Sequence, residues 1–252
     1  MELQLIRNAT LRIRYAGQMI LIDPDLAPKH HRPSFTGRSA NPMVDLPIPL
    51  EEVIAGADLL LVSHLHQDHF DAVETLPRDL PILCQPGDEE TIRGQGFRAV
   101  TPLGDSTDWR GLRISRTGGQ HGTGEVGQFM GQVSGFVLEA PGEPVLYWAG
   151  DTIWCAPVQE ALERFRPAVV VTHSCGASWP DSAGVRQLIL MDAAQTLAVC
   201  AAAPQATVVA THMEALDHAT VSRAELRAAA EASGIPAARL RIPEDGAAIG
   251  FE

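Results

Sequence analysis

The chain has 252 residues, 45% of them hydrophobic, and a formal net charge of −12 from 31 acidic and 19 basic residues. That length suits one domain over residues 1–252, or two fused halves, with a sizeable core. The acidic balance repels phosphate backbones and disfavours nucleic acid as a partner, and no stretch approaches the roughly 18 apolar residues of a membrane span.

The amino-terminal Met1–Arg7 lacks the apolar core of a signal peptide. Cys84, Cys155, Cys175 and Cys200 are widely spaced and fit reduced, buried thiols better than a disulfide framework. A cytoplasmic protein is therefore expected.

Alternating apolar positions at Leu3, Leu5, Leu11, Ile13, Tyr15, Ile20 and Ile22, with a turn at Gly17-Gln18, predict an antiparallel meander. It ends at Asp23-Pro24. The proline-rich stretch 24–50 reads as a long binding loop, and its His30 and His31 read as solvated side chains that could reach a substrate. Leu50 to Ala55 reads as a short helix.

The apolar run Ala57–Val62 predicts a buried strand. It delivers Ser63-His64-Leu65-His66-Gln67-Asp68-His69, with three histidines and a carboxylate inside six positions. Imidazole and carboxylate are the usual ligands of zinc and its neighbours. On an extended loop His64 and His66 can share one ion, while Asp68 and His69 turn to a second.

Further strands are expected at 81–84, 112–115, 134–139, 144–148, 167–172 and 206–210. Asp88 is expected to cap a helix running to Gly94. The strand at 112–115 leads into the glycine-rich loop Thr117–Gly124, which carries His121. The strand at 144–148 leads to Asp151, and the one at 167–172 to His173. The strand at 206–210 leads to His212, followed closely by Glu214 and His218. Pro157 to Phe165 has the spacing of an amphipathic helix. Asp192 opens an alanine-rich helix, and Ser222-Arg223-Ala224-Glu225 is a capping box. Two short strands, 240–242 and 247–251, close the chain. Trp154 and Trp179 read as core packing or as walls of a pocket. The order of elements suggests two halves packed sheet to sheet.

The spacing His64-X-His66-X-Asp68-His69 resembles the signature of the metallo-β-lactamase fold superfamily of metal-dependent hydrolases. The resemblance implies an α/β fold of four layers, an αβ/βα sandwich. It also implies a later His, Asp and His as ligands, which this chain supplies as His121, Asp151 and His212. On that pattern His64, His66 and His121 hold one ion. Asp68, His69 and His212 hold another, and Asp151 lies between them. Two divalent ions are expected, zinc first, with manganese or iron also suited to these donors. A water shared by the ions is the expected nucleophile, with Asp68 as the catalytic carboxylate that orients it and moves its proton. Asp23 is expected to support the metal loop.

The phrase Ile22-Asp23-Pro24 and the simple architecture are similar to the branch containing ascorbate-6-phosphate lactonase. That implies a small-molecule ester, lactone or phosphorylated substrate. The rival readings are a phosphodiesterase or nuclease, a redox member with one iron, and a metal-binding protein without turnover. The sequence leaves the oligomeric state open.

Overall fold

Three antiparallel strands, β1 (Glu2–Arg7), β2 (Thr10–Tyr15) and β3 (Gln18–Ile22), open the computed structural model, which describes residues 1–251. The chain then switches to parallel pairing. α1 (Leu50–Ile54) leads into β4 (Leu59–Val62), which lies parallel to β3, and β5 (Ile82–Cys84), α2 (Glu89–Gly94) and β6 (Val100–Pro102) extend the edge. β4 is buried on both faces, which is why its sequence is apolar throughout rather than alternating.

The second sheet begins with the antiparallel strands β7 (Ser106–Trp109), β8 (Leu112–Gly118), β9 (Ser134–Glu139) and β10 (Leu146–Trp148). α3 (Gly124–Met130) sits between β8 and β9, and α4 (Ala156–Phe165) follows β10. β11 (Val169–His173) pairs parallel to β10. A separate hairpin, β12 (Ser178–Pro180) and β13 (Arg186–Leu188), precedes α5 (Ala193–Ala202). β14 (Thr207–Thr211), α6 (Arg223–Ala232) and β15 (Leu240–Arg241) complete this half. β16 (Ala248–Gly250) then crosses back to pair with β1. The two sheets have seven strands each, in the orders β16-β1-β2-β3-β4-β5-β6 and β15-β14-β11-β10-β9-β8-β7.

Alternation on the strands decides the layers. Leu59 and Leu61 of β4 join Leu5, Ile13, Phe136, Trp148 and Val171 in the core between the sheets. Leu60 and Val62 point the other way, against Val53 of α1 and Ile92 of α2. On the far side, Val170 and Val208 pack against Val158 of α4, Val199 of α5 and Leu226 of α6. The result is the expected four-layered αβ/βα sandwich. Truncating a fully buried leucine such as Leu61 to alanine costs about 2–5 kcal/mol in a core of this kind. Tyr15 also ties the sheets together, its hydroxyl lying 2.9 Å from the carbonyl of Leu138 and 3.0 Å from that of Pro144.

Several local expectations shift. Asp88 makes no capping bond to α2; its carboxylate instead accepts from Gln85 Nε2 at 3.4 Å. The glycine-rich stretch after His121 is helical from Gly124 onward. The two expected closing strands do form, one in each sheet. Asp192 does cap α5, accepting from Gln195 N at 2.9 Å, and the Ser222–Glu225 capping box is formed at α6. Among the described residues no helix is long and apolar enough to cross a membrane.

Candidate metal centre

The first sheet contributes one loop to the centre. β4 ends at Val62, and the next residue, Ser63, is clamped by Asp23: its N–H donates to Oδ1 at 2.8 Å and its hydroxyl to Oδ2 at 2.6 Å. The chain then turns, with His69 N and Phe70 N both donating to the carbonyl of His66. This turn points His64, His66, Asp68 and His69 toward the second sheet. From there come His121 after β8, Asp151 after β10, His173 at the end of β11 and His212 after β14. Gly150 places Asp151. At φ 72° it adopts a backbone suited to glycine, and a Cβ there would stand 2.7 Å from the carbonyl of Ser134.

All seven residues expected as ligands converge. Donor atoms of His64, His66, His121 and Asp151 lie within 4.8 Å of one another, and so do those of His69, Asp151, His173 and His212. Asp151 is common to both sets. Its Oδ2 is 3.8 Å from His64 Nε2, 3.4 Å from His121 Nε2 and 3.1 Å from His69 Nε2. Its Oδ1 is 3.8 Å from His212 Nε2. Asp68 stands beside the second set, with Oδ2 3.2 Å from His212 Nε2 and 3.7 Å from His69 Nε2. Donors on one tetrahedral ion at about 2.0 Å stand roughly 3.3 Å apart, so these separations suit shared cations.

The buried polar atoms give an independent test of fit. Among the described residues, His64 Nε2 is buried without a hydrogen-bond partner. Such atoms are rare in native proteins and call for an occupant. The opposite ring nitrogens are engaged. His69 Nδ1 lies 2.6 Å from Asp23, His64 Nδ1 lies 2.9 Å from Ser63 Oγ and His121 Nδ1 lies 2.9 Å from the carbonyl of Ile189. His212 Nδ1 faces Cys175 Sγ at 3.6 Å. Partners of this kind fix the tautomer and turn the free nitrogen toward a metal.

Charge is balanced to match. Burial works against the carboxylates of Asp68 and Asp151, yet the imidazoles around them, His69 foremost, hold both well below the usual carboxylate range. Burial also opposes charge on His69 and His212, but there the carboxylates win, Asp151 first, and lift His212 to about 10. Burial pushes the pKa of His64 and His121 down and keeps both rings neutral. The centre is a buried pair of anions that demands cations, whether protons or metal ions.

His173 has a definite place: its Nδ1 is 2.6 Å from Asp151 Oδ1, and burial lowers its pKa to about 4. The sequence signal for it was the one shared by the other donors, a polar residue where an apolar strand ends on this edge. Of the two residues left open after His212, Glu214 turns away to accept from Arg223 N at 2.9 Å, whereas His218 faces the cavity. His30 and His31 are exposed. A cavity of about 310 Å³ opens onto the donors, lined by Leu65, His66, Asp68, His121, Asp151 and His218 together with apolar side chains that include Trp179. Trp154 lines a different depression of about 670 Å³ against α4 and α5, where no donors gather.

Comparison with known proteins agrees with this architecture. A family model described as the beta-lactamase superfamily domain matches residues 18–213. The UPF0173 protein YddR of Bacillus subtilis is 35% identical over 259 residues, covering 100% of both chains. The crystal structure of an isothiocyanate hydrolase from Delia radicum gut bacteria is 38% identical, with a TM-score of 0.92 over 100% of this chain and 99% of that one. A structure from Veillonella parvula, described as a possible metal-dependent hydrolase, is 33% identical, with a TM-score of 0.94 over the same shares.

Proposed function

The chain belongs to the beta-lactamase superfamily of metal-dependent hydrolases, and from that membership we propose that it is a dinuclear hydrolase of small, uncharged electrophiles bearing an apolar substituent, isothiocyanates first among them. The observation that carries this reading is the cavity over the donors. Its lining is mostly apolar and, among the described residues, includes no lysine or arginine that would recognise a phosphate. That argues against the phosphorylated substrates and phosphodiesters considered from the sequence. The 38% identity to an isothiocyanate hydrolase supplies the functional group to test.

We assign His64, His66 and His121 to one divalent ion and Asp68, His69 and His212 to the other, with Asp151 shared. Zinc is our first choice. Bound there, the ions would supply Lewis acidity and a water acidic enough to attack near neutral pH. The protein's own groups do the rest. Asp68, ionised and facing the cavity, orients the attacking water and receives its proton. In an isothiocyanate, R–N=C=S, the water oxygen bonds to the central carbon and the C=N π pair moves to nitrogen, which takes the proton from Asp68. The thiocarbamate then breaks its C–N bond as the second proton passes to nitrogen, releasing an amine and carbonyl sulfide. His173 holds Asp151 in place through Nδ1. The four buried free cysteines suit a reducing, cytoplasmic setting.

The test is metal analysis of the purified protein, followed by a panel of benzyl isothiocyanate, a γ-lactone, a p-nitrophenyl ester and a phosphodiester. Metal-dependent turnover led by the isothiocyanate is expected. Faster turnover of the phosphodiester would overturn the substrate class.

A further inference from the structure

One wall of the cavity plays no part in the chemistry above. Phe129, near the end of α3, is 72% exposed, and its ring lies nearly parallel to that of Trp179 on β12, with centroids 6.1 Å apart and planes 15° apart. Both line the cavity that opens onto His66, Asp68 and His121. Met130 and Ile189 continue this wall, and Phe35 and Leu65 also line the cavity.

The pair is held in fixed relation to the metal ligands. α3 starts three residues after His121, and Gly127 lets it sit directly on that loop: a Cβ there would stand 2.8 Å from the carbonyl of Gly122. The β12–β13 hairpin is tied to α3 by Glu125 Oε2, which accepts from Ser182 Oγ at 2.6 Å and from Ser182 N at 3.3 Å. Just past the hairpin, the carbonyl of Ile189 lies 2.9 Å from His121 Nδ1. The wall that carries the aromatic rings is thus bonded to a ligand of the centre.

We propose that Phe129 and Trp179 form a specificity clamp for a flat, apolar substituent of the substrate, aryl in preference to short alkyl. This rests on the hydrolase reading above. The occupant follows from three observations: the wall is continuous with the centre, it is aromatic, and among the described residues the lining includes no lysine or arginine for an anionic substituent. Aromatic faces stack on flat apolar groups with a gain beyond the area they bury.

The experiment compares methyl, allyl, benzyl and phenethyl isothiocyanate on the wild type, Phe129→Ala and Trp179→Phe, all metal-loaded. Wild-type kcat/KM should rise from methyl to benzyl. Phe129→Ala should cut the benzyl-to-methyl ratio about tenfold, mainly through KM. In parallel, binding of unreactive N-benzylthiourea is followed by tryptophan fluorescence. Quenching is expected in the wild type and should be lost in Trp179→Phe. If no isothiocyanate turns over but the thiourea still quenches through Trp179, the reaction class falls and the clamp stands. If isothiocyanates are hydrolysed with the same benzyl-to-methyl ratio in all three proteins, the clamp is wrong and the hydrolase reading survives. Neither turnover nor quenching overturns both. A wild-type dimer that Phe129→Ala converts to monomer, with the ratio unchanged, would reassign the ring to contact between copies and also overturn the clamp.

Discussion

Asp23 and His69 share a 2.6 Å hydrogen bond between a carboxylate oxygen and Nδ1, with both side chains wholly buried. The bond commits a proton to Nδ1 and turns Nε2 toward the centre, where a metal ion would replace the second proton of the ring. Asp23 has φ 43°, a backbone that asparagine also tolerates, so Asp23→Asn should fold. It weakens the acceptor for both His69 and Ser63. Metal affinity should fall by about 10–100-fold, read by competition with a chromogenic chelator. Unchanged affinity would reduce Asp23 to a residue of the fold.

Asp68→Asn and His64→Ala should fail differently. The first keeps a ligating oxygen but loses charge and basicity, so at saturating metal its turnover should still drop on the order of 10²–10⁴-fold. The second acts through lost metal, and excess metal should restore part of its activity. Wild-type turnover in metal-saturated Asp68→Asn would leave Asp68 as a replaceable ligand and move the search for the proton carrier to His218.

Asp217 predicts an acid limit. Its carboxylate accepts from Ser34 Oγ, Phe35 N, Thr36 N, Thr36 Oγ1 and Asn41 Nδ2, and so anchors the irregular segment that carries Phe35. Burial works against its charge, but these donors outweigh burial and hold its pKa far below normal. A folded pKa below the unfolded value of about 3.9 means the stabilisation is complete above pH ~4 and is lost as pH falls further, toward the folded pKa. Asp217→Asn should therefore destabilise by roughly 2 kcal/mol at pH 7, and the gap in Tm between the two proteins should narrow below pH ~4. A gap that stayed constant with pH would rule out the ionised carboxylate as its source.

Nucleic acid should not bind appreciably at physiological salt, given a net charge of −12. An anisotropy titration showing submicromolar, salt-dependent affinity would revive the nuclease reading.

Much of this site is legible in the sequence. His64, His66, Asp68 and His69 stand out because they crowd one loop after a wholly apolar strand. His121, Asp151 and His212 stand out once the family resemblance asks for a later His, Asp and His; the strand before His121 alternates and would not single it out alone. Other features depend on contacts made at a distance. Glu214 and His218 look equivalent in sequence, but a left-handed turn at Glu214 (φ 62°) sends its carboxylate to Arg223. The helix at 124–130 was hidden by Gly124 and Gly127, which weaken helix propensity. The Phe129–Trp179 pair joins residues 50 positions apart, and no local pattern announces it. β12 and β13 are short, partly exposed strands without an apolar run to mark them.

The centre draws its donors from both sheets: His64, His66, Asp68 and His69 follow a strand of the first, and His121, Asp151 and His212 follow strands of the second. Each bound ion is therefore a cross-link that only the folded chain can make. An ion present at a hundred times its dissociation constant adds about 2.7 kcal/mol to the folded state. Stripping the metal removes that brace and leaves the buried carboxylates to be balanced by protons on His69 and His212. Metal supply would then govern how long the molecule survives as well as how fast it works, and a chelator would shorten its lifetime in the absence of any substrate.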